Sequence, residues 1–149
     1  MKCKHCQLDE EKIIYKGTYW TLILSKQDYL GRAILALNRH IGNFSDINNN
    51  ELMEFKIILH RYESILNKLY GCTMLNWCCN MNNAYGKDNC SPHVHLHIRP
   101  RYKEKVIVND MEYTDKEFGA DYDRFAPIQF DEETIQIISQ MIKEQFNKI

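Results

Sequence analysis

Three histidines at alternate positions, His93, His95 and His97, are the densest concentration of potential chemistry in the chain. A strand repeats every two residues, so all three imidazoles leave the same face of one sheet. Neighbouring imidazoles repel on protonation, so packing or surface placement is a poor account of the set. Two chemistries stay open. In one, the histidines hold a metal ion. At about 3.3 Å per residue, His93 and His97 stand about 13 Å apart along the strand, too far for all three to share one zinc. In the other, a neutral imidazole acts as nucleophile or acid–base group while a neighbour orients an anionic substrate.

The second concentration is Cys3-x-x-Cys6, in a polar N-terminal segment. The chain opens without an apolar signal core, so its six cysteines are expected in a reducing compartment, the cytoplasm, and not in a disulfide scaffold. Cys72, Cys78 and Cys79 lie in an apolar stretch and read as inert packing thiols. Cys3 and Cys6 are candidate metal ligands, with a redox pair as the alternative. His5, between them, is expected to be exposed, and His60 has no assignable partner.

Nineteen basic and twenty acidic residues leave a formal charge of −1, which argues against a nucleic-acid polymer held on a broad basic face. An anionic ligand must instead meet a local cluster. Arg99, Arg101, Lys103 and Lys105 supply one, unless they are simply a solvated strand end. No apolar run approaches the ~18–20 residues of a membrane span. At 149 residues with 44% hydrophobic and 26% charged content, one globular domain is expected over 1–149, with its core at about 1–102 and an extension at 103–149.

The elements that must position these residues follow from periodicity. Tyr19–Leu24 reads as a strand, Gly31 as part of a turn, and Arg32–Leu37 as the returning strand. Leu52, Phe55, Leu59, Tyr62, Leu66 and Leu69 fall on one helical face, capped by one of Asn48–Asn50 and ended by Gly71. Met74–Cys79 is a buried strand, and residues 80–89 form a loop. Val94–Ile98 is the next strand, left at Pro100. A short strand is expected at Val106–Val108, and Asp131 caps a last amphipathic helix. The fold class is α+β: an antiparallel, five-stranded sheet with a long helix packed on it and a C-terminal helix. Residues 104–127 have no assigned role beyond a lid or contact at Phe118–Tyr122.

The run Pro92-His93-Val94-His95-Leu96-His97-Ile98-Arg99-Pro100-Arg101-Tyr102 resembles the signature of the histidine-triad family, in which three histidines alternate with apolar residues ahead of Pro-Arg-Tyr. The upstream order also matches: Cys-x-x-Cys, a hairpin at Gly31, His40 after the second strand, a long helix and an asparagine-containing loop. The departure is Arg99, where the motif has an apolar residue; it places a guanidinium near the site or at the sheet edge. The resemblance implies a nucleotide hydrolase cleaving a dinucleoside polyphosphate or nucleoside phosphoramidate, or a nucleotidyl transferase; a nucleotide-binding protein with little turnover is the non-enzymatic alternative. His95 would attack the α-phosphate, assisted by His97. Asn80 or Asn82 would contact the nucleotide, with Asn89 and Ser91 as weaker candidates and Ser25 near the ribose. Tyr29, Leu30 and Phe44 are candidate walls for a purine. Cys3, Cys6, His40 and His93 would hold a structural zinc, and the chain would pair as a homodimer through its long helix and the neighbouring strand.

Overall fold

A computed structural model describes residues 3, 5–86 and 90–148. Asn89, one of the expected ligand contacts, lies outside the described residues. Five strands, β1 (Ile13–Lys16), β2 (Trp20–Leu24), β3 (Ala33–Leu37), β4 (Met74–Cys78) and β5 (His95–Arg101), form one antiparallel sheet in the order β1-β2-β3-β5-β4. The strands β6 (Val106–Val108) and β7 (Met111–Tyr113) make a separate hairpin, and the helices are α1 (Asn49–Tyr70) and α2 (Glu132–Asn147). The α+β architecture expected from the sequence is therefore the one found.

Side chains alternate along the paired strands and divide the sheet into two faces. One face carries Trp20, Leu22, Leu35, Leu37, Leu96 and Ile98, which with Ile58, Tyr62, Ile65 and Leu66 of α1 form the core. The opposite face carries the chemistry: Ile34 on β3 stands across from His97, and Cys78 of β4 flanks His97 on the other side. Arg99 and Arg101 continue that face along β5.

The β2–β3 turn is fixed by buried polar bonds. Gln27 donates from Nε2 to the carbonyls of Ser25 (2.7 Å) and Arg32 (2.8 Å), and its Oε1 accepts from the Gly31 N–H (2.8 Å). Gly31 has φ +75°, and a Cβ there would meet Leu66 Cδ2 at 2.9 Å, so both conformation and packing demand glycine. Tyr62 and Tyr102 donate their hydroxyls to the carbonyls of Gly31 (2.6 Å) and Leu30 (2.9 Å), which pins the turn over the core.

Asn48 and Glu51 cap α1 reciprocally, and Gly71 ends it in the left-handed conformation. Glu51 also pairs with Arg39, and Arg39 Nη2 donates to the Asp46 carbonyl at 2.9 Å. This anchors the segment that leaves β3 and carries His40.

Five expectations change. The strand expected to be buried at Met74–Cys79 ends at Cys78 and is exposed at Met74 and half-buried beyond it, because β4 is an edge strand. The buried stripe of α1 is Ile58, Tyr62, Ile65, Leu66 and Tyr70, whereas Leu52 is 48% exposed. Ile57, Ile58 and Leu59 are consecutive apolar residues, so periodicity alone leaves the facing side ambiguous. Residues 13–16 add a strand that precedes the expected first one, and β7 pairs with β6 across Asn109 and Asp110, both at positive φ. Finally, β5 runs through Pro100. The Arg101 carbonyl accepts from Thr73 N–H at 2.9 Å on the β4 side. Pro100 therefore faces the β3 side, where pairing has already ended at Ile98, and its missing N–H leaves no bond unmade.

Candidate active site

The first histidine is buried and precedes β5, so it is not on the strand that carries the other two, and strand alternation does not set its direction. His93 Nε2 lies 2.7 Å from the Leu37 carbonyl, which can only accept, so Nε2 carries the proton and Nδ1 presents a lone pair. That lone pair faces Cys3 Sγ at 3.2 Å and Cys6 Sγ at 3.4 Å, and His40 Nδ1 stands 3.2 Å from Cys6 Sγ. All four donor atoms lie within 4.8 Å of one another. Zinc–sulfur and zinc–nitrogen bonds of about 2.3 and 2.1 Å at tetrahedral angles put neighbouring donors about 3.6 Å apart, close to what is seen here. Two thiols and two imidazoles, with one imidazole oriented from behind by a carbonyl, are the donor chemistry of a structural zinc site. Burial also holds the His93 imidazole below its ordinary pKa, toward the neutral form that ligates.

The second histidine is set up differently. His95, 8% exposed, donates from Nδ1 to the His93 carbonyl at 2.7 Å. In the neutral ring the remaining nitrogen, Nε2, is then an acceptor. It meets His97 Nε2 at 3.2 Å, so His97 supplies the hydrogen between them. A backbone carbonyl behind one imidazole nitrogen, with a lone pair in front, is an arrangement suited to a nucleophilic imidazole, since positive charge developing on attack would be stabilised at Nδ1.

His5 is half-buried, not exposed as the sequence suggested, because the turn that brings Cys3 and Cys6 to His93 carries the intervening residue over the site. Its ring stacks on His95 with centroids 4.0 Å apart. The signal was available: a residue inside a Cys-x-x-Cys turn anchored to the first histidine must approach the second.

Three openings meet here. A small pocket holds His5, Asn83, Cys90, Ser91 and the three histidines. It shares His5 and Ile34 with an apolar cleft of about 570 Å³ walled by Leu8, Ile23, Ile128 and Ile135, with Ser25 at its side. On the other side, a polar cleft of about 380 Å³ holds His97, Asn80, Asn82, Asn83, Arg32, Arg99, Tyr122 and Arg124. Ser91 and Ser25 therefore fall on the triad and apolar sides, and Asn80 and Asn82 both face the polar side. Of the expected purine walls, Leu30 is buried in the core, Phe44 lines none of the three openings, and Tyr29 lines the polar cleft.

The basic cluster after the triad is also rearranged. Arg101 is a structural residue, 1% exposed, not part of a solvated patch. It makes a two-point ion pair with Asp115 (2.7 and 3.1 Å) and donates to the carbonyls of Ala120 (2.8 Å) and Glu117. These bonds draw residues 114–126 across the face of β5 as a strap, and Tyr122 stacks over Arg99 with the guanidinium 4.3 Å from the ring centre. Cys72 is the inert thiol expected, its pKa pushed up to about 11 by burial. Cys78 and Cys79 are only partly buried.

No family model matches the chain in sequence, and no curated protein does. Solved structures do match. Diadenosine triphosphate hydrolase of Plasmodium falciparum aligns at TM-score 0.62 and 15% identity, over 95% of this chain and 80% of that one. A zinc-bound histidine-triad protein from Mycobacterium smegmatis aligns at 0.59 and 15%, over 91% and 84%. The fold is that of the histidine-triad proteins. A uridylyltransferase mutant also aligns, at TM-score 0.68 and 15% identity, over 98% of this chain but only 47% of that one. Neighbours of this fold thus include both a hydrolase and a transferase. Among the described residues, no helix is long and apolar enough to cross a membrane.

Proposed function

We propose that the chain is a nucleotide hydrolase working through a nucleotidyl-histidine intermediate. The observation that carries this reading is the His95 geometry: Nδ1–H held by a carbonyl at 2.7 Å and Nε2 beside His97 Nε2 at 3.2 Å. Nε2 of His95 attacks the α-phosphorus; an N–P bond forms and the bond from phosphorus to the leaving group breaks. His97 gives its Nε2 proton to the departing atom. Water then attacks phosphorus, the N–P bond breaks, the nucleoside monophosphate leaves, and the water's proton returns to His97. One displacement becomes two easier ones. The openings suit such a substrate: the apolar cleft takes the base and ribose near Ser25, and the polar cleft takes what lies beyond the α-phosphate. Asn80, Asn82 and Ser91 are the polar contacts we assign to the nucleotide.

Cys3, Cys6, His40 and His93 would hold one zinc ion, which would supply a cross-link between the N-terminal turn and β5. Metal analysis should find one zinc per chain, lost in Cys3→Ser; zinc retained in that variant would place the metal elsewhere, the triad included. The same reading carries a cytoplasmic protein that pairs as a homodimer through α1, where Leu52, Met53 and Ile57 are 48%, 58% and 53% exposed. A monomer on size-exclusion chromatography would remove the pairing.

The test is incubation with diadenosine tetraphosphate and with adenosine phosphoramidate beside His95→Ala. AMP should be released by the wild type and fall at least ~10³-fold in the variant, in the range of lost catalytic nucleophiles. Nucleotide binding without AMP release would convert the reading to a binding protein. A transferase is the second reading, favoured by the uridylyltransferase neighbour, and would show AMP transferred to an added phosphate or alcohol acceptor in preference to water.

A further inference from the structure

Two residues beyond His97, on the same face of β5, Arg99 breaks the apolar pattern of the motif. Its guanidinium is half-buried and stacks on Tyr122, yet no carboxylate among the described residues pairs with it, and its buried Nε has no acceptor. A buried N–H without an acceptor costs about 1–3 kcal/mol, so the Arg99 Nε has a bond still to make, and its terminal nitrogens are open to the cleft it lines.

The surroundings narrow what that partner is. Arg99 lines the cleft of about 380 Å³ that begins at His97 and includes Arg124. Two carboxylates also face it, and both have partners. Asp28 is held by Arg32 at 2.6 and 2.8 Å, and Asp123 accepts from Phe125 N–H at 2.8 Å. Asp123 keeps its charge, so the three arginines of the cleft exceed its two carboxylates by one positive charge, with Arg99 and Arg124 as the forks not already paired to Asp28, and planar guanidinium forks match phosphate oxygens. The cleft is also preorganised: the buried Arg101–Asp115 pair fixes the strap, and the strap's Tyr122 holds Arg99 flat against one wall.

We propose that Arg99 and Arg124 form an anion subsite, walled by the Tyr122 strap, for the phosphate chain of the substrate beyond the bond that His95 cleaves. The inference rests on the nucleotidyl-histidine reading for its orientation, since it places the leaving group, not the base, on this side of His97. It selects polyphosphate-linked nucleotides over phosphoramidates as the substrate class.

Titration calorimetry with inorganic tripolyphosphate tests the subsite without turnover. Arg99→Gln should weaken binding at least ~10-fold, Arg99→Lys should recover part of that, and Arg124→Gln should weaken it by about 3-fold. Arg124 is exposed, so its variant keeps the test valid if Arg99→Gln folds poorly. In parallel, the kcat/KM ratio for diadenosine tetraphosphate over adenosine phosphoramidate should fall about tenfold in Arg99→Gln. Tripolyphosphate binding within twofold of wild type in both glutamine variants, or no binding to the wild type, overturns the subsite. The two readings fail separately. AMP release with arginine-independent tripolyphosphate binding removes the subsite alone. Arginine-dependent binding without AMP from either substrate removes the hydrolase and leaves an anion site.

Discussion

Arg99 and Arg101 sit two residues apart on one face of one strand and are treated in opposite ways. Arg101 is enclosed, with a carboxylate and two carbonyls on its donors, and it is there to be satisfied. Arg99 is half-covered and stacked on a ring, and its buried Nε has no acceptor among the described residues. The same contrast separates His93, turned to the Leu37 carbonyl and two cysteines, from His95, whose second nitrogen meets His97 in a pocket. Polar groups that hold this fold together are closed on themselves. Arg99, with its Nε unmet among the described residues, lines the cleft that begins at His97.

That contrast can be broken by stability measurements. The largest effect should come from Arg101→Ala, which leaves Asp115 buried and unpaired and should cost about 3–5 kcal/mol in denaturant unfolding, whereas Arg101→Met with Asp115→Leu should regain most of it. A small loss in the single variant would mean the strap is not closed by this pair. Tyr62→Phe comes next: the Gly31 carbonyl loses its donor, and about 1–3 kcal/mol should go with it. Glu51 sharpens the comparison through pH. The Arg39 guanidinium, and secondarily the Asn48 N–H, hold its carboxyl below the usual range. The stability it adds is thus present above the ordinary glutamate pKa and lost as pH falls through the depressed one. Glu51→Gln should flatten the acid limb of a melting-temperature profile, and an unchanged limb would count against the pair. Smallest of all, Arg99→Gln should move stability by about 1 kcal/mol or less, the worth of a partly exposed cation–π contact. A cost rivalling that of Arg101→Ala would erase the distinction between the two arginines.

Local chemistry made much of the frame readable. Asn48 and Gly71 bound α1 as their residue types require, and the Trp20–Leu37 hairpin follows from its β-branched and apolar runs around Gly31. What escaped was decided at long range. Arg101 is not visibly structural until Asp115 folds back onto it, so the strap, Tyr122 and the true surroundings of Arg99 were hidden. β1 is only four residues long, preceded by Lys12 and ending in Lys16. The Asn109-Asp110 turn of β6–β7 was legible in principle, as a two-residue connection suited to positive φ. At the site, strand alternation placed the three histidines on one face, but it could not say that His93 turns back to Leu37 while His95 turns to His93. Those choices are made by carbonyls, which no side-chain pattern encodes.

The strand order has a consequence for how the molecule assembles. β5 lies between β3 and β4, so Ala36 and His95 become neighbours only after the whole of α1 and the asparagine loop have been spanned. The β2–β3 hairpin and α1 need only local closure, whereas each doubling of a closed loop adds about 0.6 kcal/mol of entropy to be overcome. Placing the histidines beside β3 is therefore the long-range step of the sheet: the hairpin and helix can close on their own residues, whereas His95 and His97 meet Ala36 and Ile34 only once β5 docks between β3 and β4.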